Sequence, residues 1–323
     1  MPTAALDSDV TAWAVLIASI AILLLLDLRV MSGRDGDMSP RFAAKASAFW
    51  IVLAVAFGGV LWATAGAPDA SSYLAGYLVE KSLSLDNVFV FLLLLNAFAI
   101  ADEERHRLLT YGIVGALVLR LVFILVGAAA LAAFGWLNLV FAALLTWTGW
   151  RLWQHRHDHE GEEKLVEGIR RRLPISEGEH GRRLLVREGG RRTLTVAGAA
   201  LAGLIVVDVI FAIDSVPAIL AITDDTFIVF AANAFALMGL RPLFFLVADL
   251  VERLYYLKAA LAALLIVIGA KMAIAHLFGK IGPEITLPVI VVILGAGVVA
   301  SLLRDRRLGG RPLTMADGGS PPS

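Results

Sequence analysis

The chain has 323 residues, 59% of them hydrophobic and only 17% charged, and its mean hydropathy is +0.80. A soluble domain of this size is rarely so apolar, so the composition excludes an ordinary soluble chain and points to a membrane protein. Formal net charge is zero and there are no cysteines; the first argues against a nucleic-acid partner, and the second excludes disulfides and thiolate metal sites.

The first ten residues are acidic and lack a basic n-region, so they do not read as a cleaved signal peptide. A membrane helix needs roughly 20 mostly apolar residues. Nine stretches meet that requirement, near 10–30, 44–65, 73–100, 108–134, 136–153, 195–222, 226–247, 258–277 and 285–303. The fold expected is therefore all-α and membrane-spanning, with about nine transmembrane helices. The fourth and fifth stretches are separated only by Gly135 and read as a tight antiparallel hairpin.

Basic residues set the orientation by the positive-inside rule. With the N-terminus outside, the inner connections carry Arg29, Arg34, Arg41, Lys45, Arg105, Arg107, Arg253 and Lys258, and the tail carries Arg304, Arg306, Arg307 and Arg311. The outer connections carry almost nothing basic except Lys280. Trp13, Trp62 and Trp136 fall at the outer boundary and Trp50, Trp150 and Trp153 at the inner one, as an aromatic belt requires. This places the C-terminus in the cytoplasm. A transmembrane domain spans 1–307, interrupted by a polar cytoplasmic loop over 154–192, and the Gly-, Pro- and Ser-rich stretch 308–323 reads as a disordered tail.

Two segments bury acids where acids are expensive. Glu80-Lys81-Ser82-Leu83-Ser84-Leu85-Asp86-Asn87 lies in the third span, and Asp208-Val209-Ile210-Phe211-Ala212-Ile213-Asp214-Ser215-Val216-Pro217 lies in the sixth. Each has two carboxylates six residues apart, followed by a small polar side chain. An ionisable group at membrane depth costs several kcal/mol unless it meets a partner, so it marks function by default. The third span enters from outside and the sixth from inside, which predicts an inverted repeat of spans 3–5 and 6–8 with spans 1, 2 and 9 flanking.

On an ideal helix six residues turn through ~240°, whereas seven nearly close a turn. Glu80 then shares a face with Asn87, and Asp208 with Ser215, but neither acid shares a face with the acid that follows it. Either each span offers its acids to two places or the helix breaks between them. Pro217 removes a hydrogen bond and frees the carbonyl of Ile213, which predicts a kink near Asp214. The candidate ligands are Glu80, Asp86, Asn87, Asp208, Asp214 and Ser215, all hard oxygen donors suited to Mn²⁺, Mg²⁺ or Ca²⁺. Asp27 and Lys81 are accessory candidates, Lys81 as a counter-ion to an empty site. An acid that protonates when the metal leaves permits metal–proton exchange.

Structural readings stand beside these. The four acids could pair with Lys81, Arg120 or each other and simply hold spans together. Asn96 and Asn233 read as helix-packing hydrogen bonders, and Arg241 as a residue that snorkels to the inner boundary. The run His155-Arg156-His157-Asp158-His159-Glu160 reads as a solvated loop, or else as a weak cytoplasmic metal site. No nucleotide-binding loop, G-x-S-x-G elbow or H-E-x-x-H is present, which supports neither an ATP pump nor a hydrolase, and the chain reads as no enzyme.

The two acid segments resemble signatures of the TerC family of integral membrane proteins, as do 241–246, 250–258 and 269–272. Within the two acid motifs the chain shows no departure from the family pattern. The family is named from tellurite resistance, is grouped with LysE-type exporters, and has bacterial members associated with Mn²⁺ efflux. The resemblance implies a secondary transporter in the plasma (inner) membrane of a bacterium, exporting a divalent cation, Mn²⁺ first, through the six candidate ligands, with no tightly bound cofactor. Its expected partners are membrane lipid and divalent cations, without nucleic acid. The alternatives are a non-transporting scaffold or stress-response factor and an exporter of a small amino compound.

Overall fold

The computed structural model describes residues 9–32, 40–154, 160–173, 175–176, 183–188, 191–253, 255–278 and 283–307. In chain order these form α1 (Val10–Ser32), α2 (Pro40–Thr64), α3 (Ala67–Ala97), α4 (Asp102–Ala133), α5 (Leu137–Gln154) and α6 (Glu160–Arg172). The hairpin strands β1 (Leu185–Glu188) and β2 (Arg191–Leu194) follow. The rest is α7 (Val196–Leu220), α8 (Thr226–Leu237), α9 (Leu240–Arg253), α10 (Leu257–Phe278) and α11 (Pro283–Arg307). Helix starts carry local signals: Pro68 and Asp69 lie in the first turn of α3, the Thr195 hydroxyl accepts from the Gly198 N–H ahead of α7, and the Asp225 carboxylate accepts from the Ile228 N–H ahead of α8.

Among the described residues, six helices are individually long and apolar enough to cross a membrane: α1, α2, α4, α7, α10 and α11. The pair α8–α9 makes a seventh if it is one bent span. The sequence predicts nine. The difference lies in α3, whose 31 residues include Glu80, Lys81 and Asp86, and in α5, whose 18 residues include Asn138, Arg151 and Gln154. Both have the length to cross; what sets them apart is a higher polar content, although α4 and α7 also carry buried charges in Arg120 and Asp208.

Helix α3 is the hub, packing against α2, α7, α8, α9 and α11. Helix α8 is buried on every side from Phe227 to Leu237, as a helix that is apolar all round should be. Val15, Ile22 and Leu25 of α1, Phe49, Val52 and Val55 of α2, and Val291, Val292 and Val299 of α11 stay exposed, a surface that fits lipid rather than water. Close approaches fix the helix directions. A Cβ on Gly76 would meet Ile219 and one on Gly203 would meet Leu94, so α3 and α7 run antiparallel. A Cβ on Gly149 would meet the Ala262 carbonyl at 2.8 Å and one on Gly269 the Ala142 carbonyl at 2.8 Å, so α5 and α10 are antiparallel and joined through small residues.

Three expectations are sharpened. First, of the two arrangements open to the acid pairs, the unbroken one holds: α3 and α7 run as helix through both pairs, and α7 continues through Pro217. Second, the seventh predicted span is broken instead, between α8 and α9, with a 41° bend. Gly239 sits there at φ +76, and a Cβ on it would lie 2.7 Å from the Trp50 Cβ. Third, the connection 154–192 is not simply a loop. It contains α6, which packs on α3 and α7, and the β1–β2 hairpin, in which Leu185 pairs with Leu194 and Glu188 with Arg191. The His155–His159 run and the 308–323 tail lie outside the described residues.

Candidate functional site

Helix α3 presents a polar stripe to the interior. Tyr77, Glu80, Ser84 and Asn87 follow one another at helical spacing and are 3%, 0%, 0% and 3% exposed. Across from it, α7 contributes Asp208 and Ser215, seven residues apart and both buried. The same-face pairs expected from helical geometry, Glu80 with Asn87 and Asp208 with Ser215, are therefore the ones turned inward.

Between the two helices lies Arg120 of α4, 0% exposed. Its Nη1 donates to Glu80 Oε1 and, at 3.0 Å, to Asn233 Oδ1 of α8. Its Nη2 donates to Asp208 Oδ1 at 3.0 Å, and the Ser215 hydroxyl stands 3.5 Å from Nη1. Asn233 in turn donates to the Val229 carbonyl of its own helix at 2.9 Å. One guanidinium thus joins α3, α7 and α8 to α4, and two carboxylates face one cation. A buried charge is tolerated only when paired, and charge-assisted bonds of this kind are the strongest hydrogen bonds a protein makes. The cluster is nonetheless incompletely satisfied. Glu80 Oε2, Asp208 Oδ2, Arg120 Nε, Tyr77 Oη and Ser84 Oγ are buried without a hydrogen-bond partner among the described residues.

The second acid of α7 goes elsewhere. Asp214 is partly exposed and accepts from the Thr148 hydroxyl of α5 at 3.1 Å, on a different face of α7 from Asp208 and Ser215. The backbone of Asp86 lies within α3, but its side chain is outside the described residues. Lys81 is not the counter-ion of Glu80: its Nζ donates to the carbonyls of Ala236 at 3.1 Å and Met238 at 3.4 Å, filling acceptors left open where α8 ends before the bend. Asp27 of α1 is likewise away from the cluster, accepting from Arg241 Nη1 of α9 at 3.3 Å. Arg241 is buried rather than snorkelling. Lys271 of α10 donates to the Ala221 carbonyl just past α7 at 3.2 Å, a second lysine placed at a helix C-terminus. Asn96 accepts from Arg105 at 2.9 Å, away from the cluster.

Of the expected ligands, the fold brings together Glu80, Asp208 and Ser215, with Asn87 on the same face of α3, and separates Asp214, Asp27 and Lys81 from them. Among the described residues, no three His, Asp or Glu side chains gather closely enough to hold a metal ion. From the sequence alone Arg120 is one of several possible partners of the acids. The signal for its central place was available, since an arginine in the middle of the apolar run 108–134 is as expensive as an acid and must end at one.

Comparison with known proteins gives the family. Residues 65–308 match the integral membrane protein TerC family. An uncharacterized membrane protein of Myxococcus xanthus is 41% identical over 296 residues, covering 91% of this chain and 92% of its own. A putative membrane-bound redox modulator Alx of Salmonella typhi is 38% identical over 315 residues, covering 92% and 96%, and the Escherichia coli K12 protein of that name is 37% identical over 278 residues, covering 82% and 86%. No solved structure matches. On its apolar helices, the family match and these relatives, the chain is a multi-pass membrane protein and belongs to the TerC family of integral membrane proteins.

Proposed function

We propose that the chain is a secondary transporter that exports a divalent cation, Mn²⁺ first among candidates, across the inner membrane of a bacterium. The observation that carries this reading is the convergence of Glu80 and Asp208, from two antiparallel helices, at a fully buried cluster with unused carboxylate oxygens. Hard oxygens of this kind suit Mn²⁺, Mg²⁺ or Ca²⁺. Asp214, partly exposed between α5 and α7, serves as a second station through which the cation passes on its way to or from the buried pair.

The architecture proposed with it is an inverted repeat in which α3, α4 and α5 correspond to α7, α8–α9 and α10. Packing supports it: α3 lies on α8 as α7 lies on α4, and α5 lies on α10. The reciprocal contacts of Gly149 and Gly269 relate α5 and α10 by the same kind of exchange. Nine passes follow if α3 and α5 also cross, with the N-terminus outside and the C-terminus in the cytoplasm. The two repeats then rock about the acids to expose them alternately.

A second reading has its own support. Because Arg120 already holds Glu80 and Asp208, the acids can be structural and the chain a non-transporting membrane factor. The relatives named as putative redox modulators leave room for this, although without cysteine the chain has no thiol chemistry of its own. The experiment is cellular Mn content by elemental analysis after Mn²⁺ challenge, in cells lacking an exporter. Wild type is expected to lower it, and Asp86→Asn combined with Asp214→Asn is expected not to, at equal membrane abundance. A wild type that leaves Mn content unchanged favours the second reading, whereas equal lowering by both forms keeps export and removes Asp86 and Asp214 from the path.

A further inference from the structure

We propose that Arg120 is a tethered cation: it occupies the paired carboxylates when no substrate is bound and keeps monovalent cations off them, so that only a divalent cation takes its place. The inference rests on the cation-export reading and concerns how that site chooses its substrate.

The fit between Arg120 and its partners is partial on both sides. A guanidinium has five N–H donors in a rigid fork, and a carboxylate has two oxygens; a purely structural pair tends to use both oxygens of one acid. Here Arg120 takes one oxygen from each of two acids on different helices, leaving its own Nε and both far oxygens, Glu80 Oε2 and Asp208 Oδ2, without partners among the described residues. Tyr77 Oη and Ser84 Oγ, on the Glu80 face of α3, are also buried and without a partner among those residues. The cluster therefore holds more hard-oxygen capacity than Arg120 uses, arranged around a position that one positive charge now fills.

Charge decides what can replace it. Two carboxylates face one guanidinium, so one negative charge is left without a partner inside the cluster. Sodium or potassium brings no more charge than Arg120 does, and it must give up translational freedom and its water, whereas Arg120 is already held beside the acids by the chain. A divalent cation brings twice the charge, and coulombic attraction rises in proportion. It can neutralise both acids at once and use the far oxygens that Arg120 leaves idle. Displacing Arg120 also breaks the bonds joining α4 to α3, α7 and α8, which ties substrate binding to the helices that would have to move.

The test uses the purified full chain in detergent, with Mn²⁺ titrated calorimetrically in potassium chloride and in N-methylglucamine chloride of equal ionic strength. For wild type the two salts are expected to give the same affinity. Arg120→Gln is expected to bind Mn²⁺ about tenfold tighter and to show competition by potassium that wild type lacks. Unchanged or weaker Mn²⁺ binding by Arg120→Gln, with the two salts equivalent, overturns the proposal and leaves the export reading standing. If Arg120→Gln is not recovered folded, Arg120→Lys serves. Its ammonium keeps the charge but lacks the planar fork that spans the two acids and Asn233, so tighter Mn²⁺ binding with potassium still excluded is expected, and unchanged affinity overturns the proposal. A wild-type protein that binds none of Mn²⁺, Mg²⁺ and Ca²⁺ overturns the export reading and this inference together.

Discussion

At the scale of single residues, the cluster around Arg120 is an unequal balance of charge, and the inequality predicts which substitutions the fold tolerates. Arg120→Met leaves two buried carboxylates facing each other without a cation. Removing one partner of a buried ion pair typically costs about 3–5 kcal/mol. Glu80→Gln instead brings the cluster to one charge of each sign and keeps an oxygen for Nη1 to bond, so its cost is expected to stay within about 1.5 kcal/mol. Asp214→Asn, which keeps its acceptor for Thr148, belongs with the mild class. Thermal unfolding in detergent, followed by tryptophan fluorescence, checks the order. An Arg120→Met protein no less stable than Glu80→Gln would show that the pairing does not hold the fold. The mild class also makes transport assays on Asp214→Asn interpretable, because lost transport there is not lost protein.

Among the elements, the bend between α8 and α9 is the feature that helical periodicity hides. Residues 226–247 read as one apolar run, and no proline interrupts them until Pro242, which sits in the first turn of α9 where proline is at home. What breaks the run is Gly239, at φ +76 and against Trp50. Lys81 donates to the carbonyls of Ala236 and Met238 beside the break. Gly239→Ala is expected to destabilise by about 1–2 kcal/mol from the backbone alone, and further from the overlap with Trp50. In a Trp50→Ala background the ring contacts are removed while the Cβ–Cβ contact stays, and the difference between the two backgrounds in thermal unfolding measures the ring's share of the overlap. No difference would place the whole cost in the backbone and the Cβ contact. The acid helices behave in the opposite way: Pro217 marks a break by its chemistry, yet α7 passes through it, because packing on α3 and α4 holds the helix on both sides.

For the whole molecule, the directions of α3, α5, α7 and α10 agree with a chain that crosses back and forth, with α8–α9 as one pass. The proposed orientation is directly testable because the chain has no cysteine of its own. Gly135 between α4 and α5 and Gly161 in α6 are both open positions where a side chain meets nothing. Whole cells treated with a membrane-impermeant thiol reagent are expected to label Gly135→Cys at once and Gly161→Cys only after permeabilisation. The reverse pattern would invert the topology and reverse the direction assigned to transport.

By itself the sequence determined where the long apolar helices lie, the antiparallel relation of the two acid segments and which side chains are expensive to bury. These are local properties. A membrane helix satisfies its own backbone, and a charge in an apolar run is costly whatever surrounds it. The same-face pairs Glu80–Asn87 and Asp208–Ser215 followed from helical geometry alone. Only the tertiary structure decided where each charge finds its partner. Arg120 meets acids 40 and 88 residues away, Lys81 turns from Glu80 to carbonyls of α8, and Asp214 goes to Thr148 rather than to the buried pair. The choice among equally charged partners depends on which helices touch and at what depth, and no spacing along the chain encodes that.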